Sequence, residues 1–244
     1  MTASASWLER WDAQQETYLP DREERFEALI DLVEATGGAR PRVLDLACGP
    51  ASLAARVLVR MPQAEVVGVD ADPVLLTLAR LTAHEGLTLV DEDLRNPRWL
   101  TRIPAGRYDA VVSSTALHWL QEADLRQVYR SCADLLPAGG LLANADHLQS
   151  TRSPRLLELA LELDRRRAAR HDAAAEDWDE WWSAVREDPK LGEAVAERDR
   201  RAFDHPEHSE TSHEVHERAL RDAGFKEVEI LWRKGTDAIL AALR

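Results

Sequence analysis

The stretch Arg42-Val43-Leu44-Asp45-Leu46-Ala47-Cys48-Gly49-Pro50-Ala51-Ser52 constrains the fold of this chain more than any other. Val43 to Ala47 is apolar except for Asp45 and runs into a Gly-Pro turn, after which Leu53, Val57 and Met61 recur at helical spacing. The pattern predicts a buried strand, a tight loop and a helix. A parallel strand that feeds a helix through a small-residue turn sets a carboxylate and several backbone N–H groups at the carboxyl edge of a sheet, where α/β folds bind nucleosides. A ligand is therefore expected above Asp45 and Gly49.

The neighbouring segments repeat the alternation. Trp7 to Gln15 predicts a short first helix, broken at Tyr18-Leu19-Pro20. Asp21 and Glu24 form a capping-box pattern ahead of Phe26, Leu29, Ile30 and Val33, with Gly37-Gly38 as the stop. Glu65 to Asp70 predicts a second strand ending on an acid. The helix after it has Asp72 as cap and Pro73 at its first position. Leu87 to Val90, Tyr108 to Ser114 and Leu141 to Ala145 predict three further strands, with a helix from Gln121 to Leu136. Such alternation implies a doubly wound, mostly parallel α/β sheet. Phe225 to Trp232 and Asp237 to Leu243, joined by Lys234-Gly235, predict an antiparallel hairpin at the sheet edge, which brings the sheet to seven strands.

Between them the period changes. Leu156, Leu159 and Leu163 mark a long helix, and no strand signal follows before Thr211 and Glu214, a second capping-box pattern. The division expected is one domain over 1–244: an N-terminal helical lid (1–40), a core (41–150), a helical insertion or cap (151–217) and a closing helix with the hairpin (218–244).

The formal charge is −13, and between His171 and Glu217 there are 15 acidic against 5 basic residues, so most of the excess lies in the insertion. That balance opposes attraction to a phosphate backbone and makes a nucleic-acid partner unlikely. No apolar run approaches a membrane span, Met1 to Ser6 has no secretory pattern, and two cysteines make no disulfide framework. A cytoplasmic location is expected, with no membrane partner and the oligomeric state undetermined.

Polar residues stand at the ends of successive strands: Asp45, Asp70, Asp93, then Ser113 and Ser114. Asp70 is placed to accept both ribose hydroxyls of a nucleoside, and Asp93 to meet an adenine amino group. The fingerprint G-x-G-x-x-G is absent, which argues against a pyrophosphate cradle. These residues, with Val43 to Pro50, Val67-Gly68-Val69-Asp70, Asp93-Leu94, Tyr108 to Ser114 and Leu136-Pro137-Ala138-Gly139-Gly140, resemble the class I S-adenosylmethionine-dependent methyltransferases. The resemblance covers residues 41–147 and implies a Rossmann-like sheet. It also implies S-adenosylmethionine as cofactor, with S-adenosylhomocysteine as product. By it, the backbone at Ala47 and Gly49 approaches the methionine, Asp45 answers the ammonium, and Asp70 with Ala71 takes the ribose. Asp93 and Leu94 hold the adenine, and Ser113 and Ser114 complete the wall. The segment from Tyr18 to Arg25 and the tail from Leu220 to Phe225 are similar to a small-molecule subgroup bordering the carboxy-S-adenosylmethionine synthases, which makes Tyr18 and Arg25 candidate lid contacts. Alanines stand at positions 47 and 51 where the family has glycine, and the loop is expected to use ordinary dihedrals there.

For catalysis the candidates are His118, on the loop after the fourth strand, and Asp146 and His147, at the end of the fifth. An imidazole changes charge near neutrality and Asp146 is suited to hold its tautomer. The competing readings are loop closure and strand-end capping. Trp119, Trp182 and His208 are candidate acceptor contacts. The Trp178, Trp181, Trp182 group is explained equally by burial of one helix face. The four histidines from His205 to His216 lack the spacing of a metal motif, so no metal is expected. The function read from these features is methyl transfer to an O, N or C nucleophile of a small-molecule acceptor. The alternatives are a carboxy-S-adenosylmethionine synthase-like enzyme and a non-catalytic cofactor-binding protein.

Overall fold

The computed structural model describes residues 3–82, 84–170, 176–201 and 212–244. Its centre is a seven-stranded sheet in the order β3-β2-β1-β4-β5-β7-β6. The strands are β1 (Arg42–Leu46), β2 (Glu65–Asp70), β3 (Leu87–Asp91), β4 (Ala110–Ser114), β5 (Leu141–His147), β6 (Glu227–Lys234) and β7 (Asp237–Leu243). The first five pair in parallel, and β7 is antiparallel to both β5 and β6. The hairpin is thus present, but only β6 is an edge. β7 inserts beside β5, and Ala238 to Ala242 are buried accordingly.

Alternating residues of these strands feed two cores. Leu44, Leu46, Val67, Val111 and Leu142 pack with α6 (Glu122–Leu135) and α10 (His213–Asp222), including Leu125, Tyr129 and Leu220. Val43, Val66, Val112 and Ala143 pack with α2 (Arg22–Gly37) and α3 (Ser52–Arg60), including Phe26, Leu29 and Val57. Near-continuous apolar runs are what a parallel sheet covered on both faces requires.

Helix α1 (Ala3–Tyr18) is longer than its apolar spacing foretold, because its partners lie in the insertion. Trp7 and Trp11 of α1, Val74 and Leu78 of α4 (Pro73–Leu81) and Trp181, Trp182 and Val185 of α8 (Trp178–Glu187) form a third core. Trp7 also donates from its indole to Asp188 at 2.8 Å. Each buried tryptophan removes on the order of 200 Å² from water, roughly 5 kcal/mol gross at about 25 cal/mol per Å². This core is the main apolar bond between insertion and body, since α7 (Pro154–Ala168) and α9 (Gly192–Arg201) bury no residue fully. The leucines that mark α7 face outward: Leu156, Leu159 and Leu163 are exposed.

One capping expectation changes. Asp21 precedes α2 but makes no cap hydrogen bond, because its carboxylate pairs with Lys234 at 2.9 Å. Thr211, the other expected cap, lies outside the described residues; Glu214 accepts from Ser150 and Thr151. Asp72 caps α4 as expected, accepting from Val74 N at 2.8 Å. Among the described residues, no helix is long and apolar enough to cross a membrane and no cluster suits a metal ion.

Candidate active site

A cleft of about 690 Å³ opens over the carboxyl ends of β1, β2 and β4, roofed by α1, α8 and α9. Asp45 reaches it from β1, where its neighbours in register are Gly68 of β2 and Val112 of β4. Gly68 is small for a reason. A methyl group there would meet Cys48 Sγ at 2.7 Å, so the glycine lets the loop after β1 fold down onto β2.

That loop corrects an expectation. Ala47 (φ 52°), Gly49 (φ 55°) and Ala51 (φ 65°) are all left-handed. Both alanines therefore take the conformation that glycine would adopt without strain, at roughly 1–2 kcal/mol each. The strained backbone is fixed from below. Gly49 N donates to Asp70 Oδ2 and Asp72 N to Asp70 Oδ1, both at 2.7 Å, and Cys48 N donates to Val69 O at 3.1 Å.

Asp45 and Asp70 share this floor, the first buried and the second partly exposed to the cleft. Burial, then the charge of Asp70, pushes the Asp45 carboxyl up to about 8. Burial likewise raises Asp70, to about 6, against the backbone N–H groups of Asp72 and Gly49 that favour its ionised form. Asp45 Oδ2 has no hydrogen-bond partner among the described residues although the side chain is only 2 % exposed. A buried carboxylate oxygen in that position is costly until a donor, ideally a cation, meets it.

At the other rim, His118 and Trp119 sit on a short 3-10 turn (Leu117–Trp119) after β4 and line the cleft. His118 Nδ1 lies 2.7 Å from Asp146 Oδ1, and the backbone N–H groups of His118 and His147 donate to the same carboxylate. Burial would raise Asp146, but the hydrogen bond with His118 and the nearby His118, His216 and His147 outweigh it and hold the carboxyl down at about 2. The ionised aspartate therefore holds the Nδ1–H tautomer and leaves Nε2 as the basic nitrogen. Asp146 is fully buried and stands behind His118 without lining the cleft. Tyr129 and His216 continue the network at 2.7 Å, and burial lowers His216 to about 4, so its ring is neutral near pH 7.

Most of the site residues expected from the sequence converge here: Tyr18, Asp45, Ala47, Gly49, Asp70, Ala71, Asp93, Leu94, Ser114, His118, Trp119, His147 and Trp182 all line the cleft. Others do not. Ser113 turns away and donates to Leu46 O at 2.9 Å. Arg25 lies beneath the strand ends, wholly buried, with Nη1 donating to Asp237 at 2.7 Å and Nη2 to Ser114 at 3.0 Å. The carboxylate of Asp93 is engaged by the Arg95 side chain at 2.6 Å, which outweighs burial and keeps it below its ordinary range. His208 lies outside the described residues.

Several lining residues were not legible beforehand. Thr115 is left-handed (φ 57°), rare for a β-branched residue, and lines the cleft between Ser114 and His118. Trp11 enters the wall from α1, four residues from Trp7, a helical stripe that in hindsight was a signal. Arg198 enters from α9 and donates to Asp72 at 2.7 Å, while its neighbour Arg201 grips Asp91.

Residues 43–140 match the methyltransferase domain family. A trans-aconitate 2-methyltransferase of Mycobacterium ulcerans is 36% identical over 135 residues, 54% of this chain and 46% of that protein. Among solved structures, the magnesium protoporphyrin IX methyltransferase of Synechocystis superposes with a TM-score of 0.59 at 16% identity, covering 99% of this chain and 95% of that one. A putative O-methyltransferase of Nostoc punctiforme gives 0.61 at 15% identity, covering 95% and 60%. Strand order and family match agree over residues 43–140: that stretch is similar to a methyltransferase domain, and the sheet has the fold of the solved methyltransferases it superposes on. The chain spans about half the length of the curated relatives it matches, 46% for the Mycobacterium ulcerans protein.

Proposed function

We propose that the protein binds S-adenosylmethionine in this cleft and transfers its methyl group to an O, N or C nucleophile of a small-molecule acceptor. The observation that carries the reading is the unpartnered, buried Oδ2 of Asp45 beside Asp70. The Asp45 carboxylate would take the ligand's ammonium, Asp70 would accept from its ribose hydroxyls, and Leu94 with the Asp93 backbone would border the base. When bound, the cofactor supplies an electrophilic methyl group on a sulfonium.

The chain's own residues do the rest. Trp11, Trp178 and Trp182 wall the cleft, and α8 and α9 roof it, which holds an acceptor against the cofactor. His118, oriented through Nδ1 by Asp146, accepts the acceptor's proton at Nε2. Asp146 and Arg25 act at a distance as positioning residues, the first through His118 and the second through Ser114 and Thr115. His147 borders the same rim and contributes a polar contact to the acceptor.

Calorimetric titration with S-adenosylmethionine and S-adenosylhomocysteine tests the reading. Micromolar affinity, about −8 kcal/mol, is expected for the wild type and is lost in Asp70→Ala. Absence of binding by the wild type overturns it. Trans-aconitate, the acceptor in the relatives' name, is a tricarboxylate, and an acceptor of that kind needs cationic partners in the cleft wall.

A further inference from the structure

We infer that the acceptor is an uncharged, planar aromatic molecule, and that the cleft selects against polyanions; the inference rests on the methyltransferase reading above. Two independent features of the wall carry it.

The first is charge. Three arginines line the cleft, and each already meets a carboxylate: Arg22 donates to Asp12 at 2.8 Å, Arg95 to Asp93 at 2.6 Å and Arg198 to Asp72 at 2.7 Å. Five acids line the same space, namely Asp70, Asp72, Glu92 and Asp93 together with Asp45, which keeps its proton near neutral pH in the absence of a ligand. Residues 171–175 and 202–211, His-Asp-Ala-Ala-Ala and Ala-Phe-Asp-His-Pro-Glu-His-Ser-Glu-Thr, contain neither lysine nor arginine, so they add no permanent cation. An acceptor carboxylate that turned Arg22 or Arg198 toward itself would lie beside the aspartate that arginine already neutralises. Dehydrating an anion there costs several kcal/mol without a matched partner. The same negative wall suits a cationic cofactor.

The second feature is aromatic surface. Trp11, Tyr18, Phe26, Trp119, Trp178 and Trp182 all face this one cleft. Trp119 lies against the His118 ring with centroids 4.6 Å apart, which sets aromatic surface beside the imidazole. Trp178 packs on Trp11 and Trp182 at 5.7 and 5.8 Å and is held at its backbone N–H by the Tyr18 hydroxyl at 3.3 Å. Trp178 keeps 37% of its surface exposed, an area an aromatic ligand covers. The electron-rich faces also serve cations, but Arg198 already occupies Trp182 at 4.1 Å.

Tryptophan-fluorescence titrations of the protein, pre-saturated with S-adenosylhomocysteine, distinguish the possibilities with 2-naphthol, tyramine and trans-aconitate as probes. We expect 2-naphthol to bind roughly tenfold or more tighter than either charged probe. Trp178→Ala should weaken it by a similar factor and Trp178→Phe should restore it, each variant being titrated at saturating S-adenosylhomocysteine. Preference of the wild type for trans-aconitate or tyramine, or failure of 2-naphthol to bind, overturns the inference while leaving the methyltransferase reading standing. Failure to bind S-adenosylhomocysteine at all removes both.

Discussion

Arg25 and Asp237, 212 positions apart in the chain, meet at 2.7 Å beneath the cleft floor. The arginine is wholly buried and its second nitrogen holds the Ser114 and Thr115 hydroxyls. One guanidinium thus joins α2, the end of β4 and the start of β7, and braces the left-handed Thr115 that leads into His118.

Removing one partner of such a pair leaves the other buried and unmatched. Arg25→Met should therefore lower stability by roughly 3–5 kcal/mol at neutral pH, seen as a fall in the urea midpoint. Burial already pushes the Asp237 carboxyl up against the pull of Arg25. Asp237→Asn in the Arg25→Met background should recover a large part of the loss, because the amide carries no charge to dehydrate. A midpoint unchanged in the single variant would remove Arg25 as the brace of this floor.

The two aspartates of the cleft floor give the protein a characteristic pH dependence. In the folded state Asp45 keeps its proton to about 8 and Asp70 to about 6, whereas in the unfolded chain both ionise near 3.8. The folded state then binds more protons than the unfolded one across that window, so stability falls as pH rises from about 4 to 8, by at most about 1.4 kcal/mol per pH unit for each group. Cofactor binding that uses the ionised Asp45 must expel its proton. Calorimetry at pH 7 in buffers of different ionisation enthalpy should record proton release, and Asp45→Asn should abolish it while stabilising the apo protein at pH 8.

How much of this was legible in the sequence follows from the range of each interaction. The buried strands announce themselves as apolar runs, and strand-end acids such as Asp45 and Asp70 fall on the cleft because every parallel strand ends at the same edge. Facing is harder. Ser113 and Ser114 are adjacent, yet alternation sends the first into the sheet and the second to the cleft. Burial of Arg25 depends on Asp237, displacement of Asp21 from its cap on Lys234, and assembly of the tryptophan core on helices at opposite ends of the chain. None of these distant partners leaves a local mark.

The left-handed alanines offer a test that separates strain from packing. Ala47 is partly exposed, so Ala47→Gly relieves its backbone at little loss of contact and should stabilise the protein by about 1 kcal/mol. Ala51 has the same backbone but is 2% exposed and packs in the core under α3, where a lost methyl costs about 0.8 kcal/mol. Ala51→Gly should therefore be near neutral. Equal gains at both positions would show that the Ala51 methyl contributes nothing to packing.

The pairing of His118 with Asp146 makes the last prediction. The low-lying Asp146 carboxyl, about 2 against 3.8 for the unfolded chain, contributes about 2 kcal/mol of stability that is present above pH 4 and lost as pH falls through 2. Asp146→Asn should remove that contribution and release the His118 tautomer. If His118 takes the acceptor's proton, His118→Gln should lower turnover by roughly 10²–10⁴-fold and flatten the dependence of rate on pH, and Asp146→Asn should reproduce much of the loss. Cofactor affinity should stay within about twofold of wild type in both, since neither side chain touches Asp45 or Asp70 and independent sites contribute additively. Full turnover in His118→Gln would mean that alignment and dehydration suffice for transfer, and that the ring serves only to fasten the loop after β4 to β5.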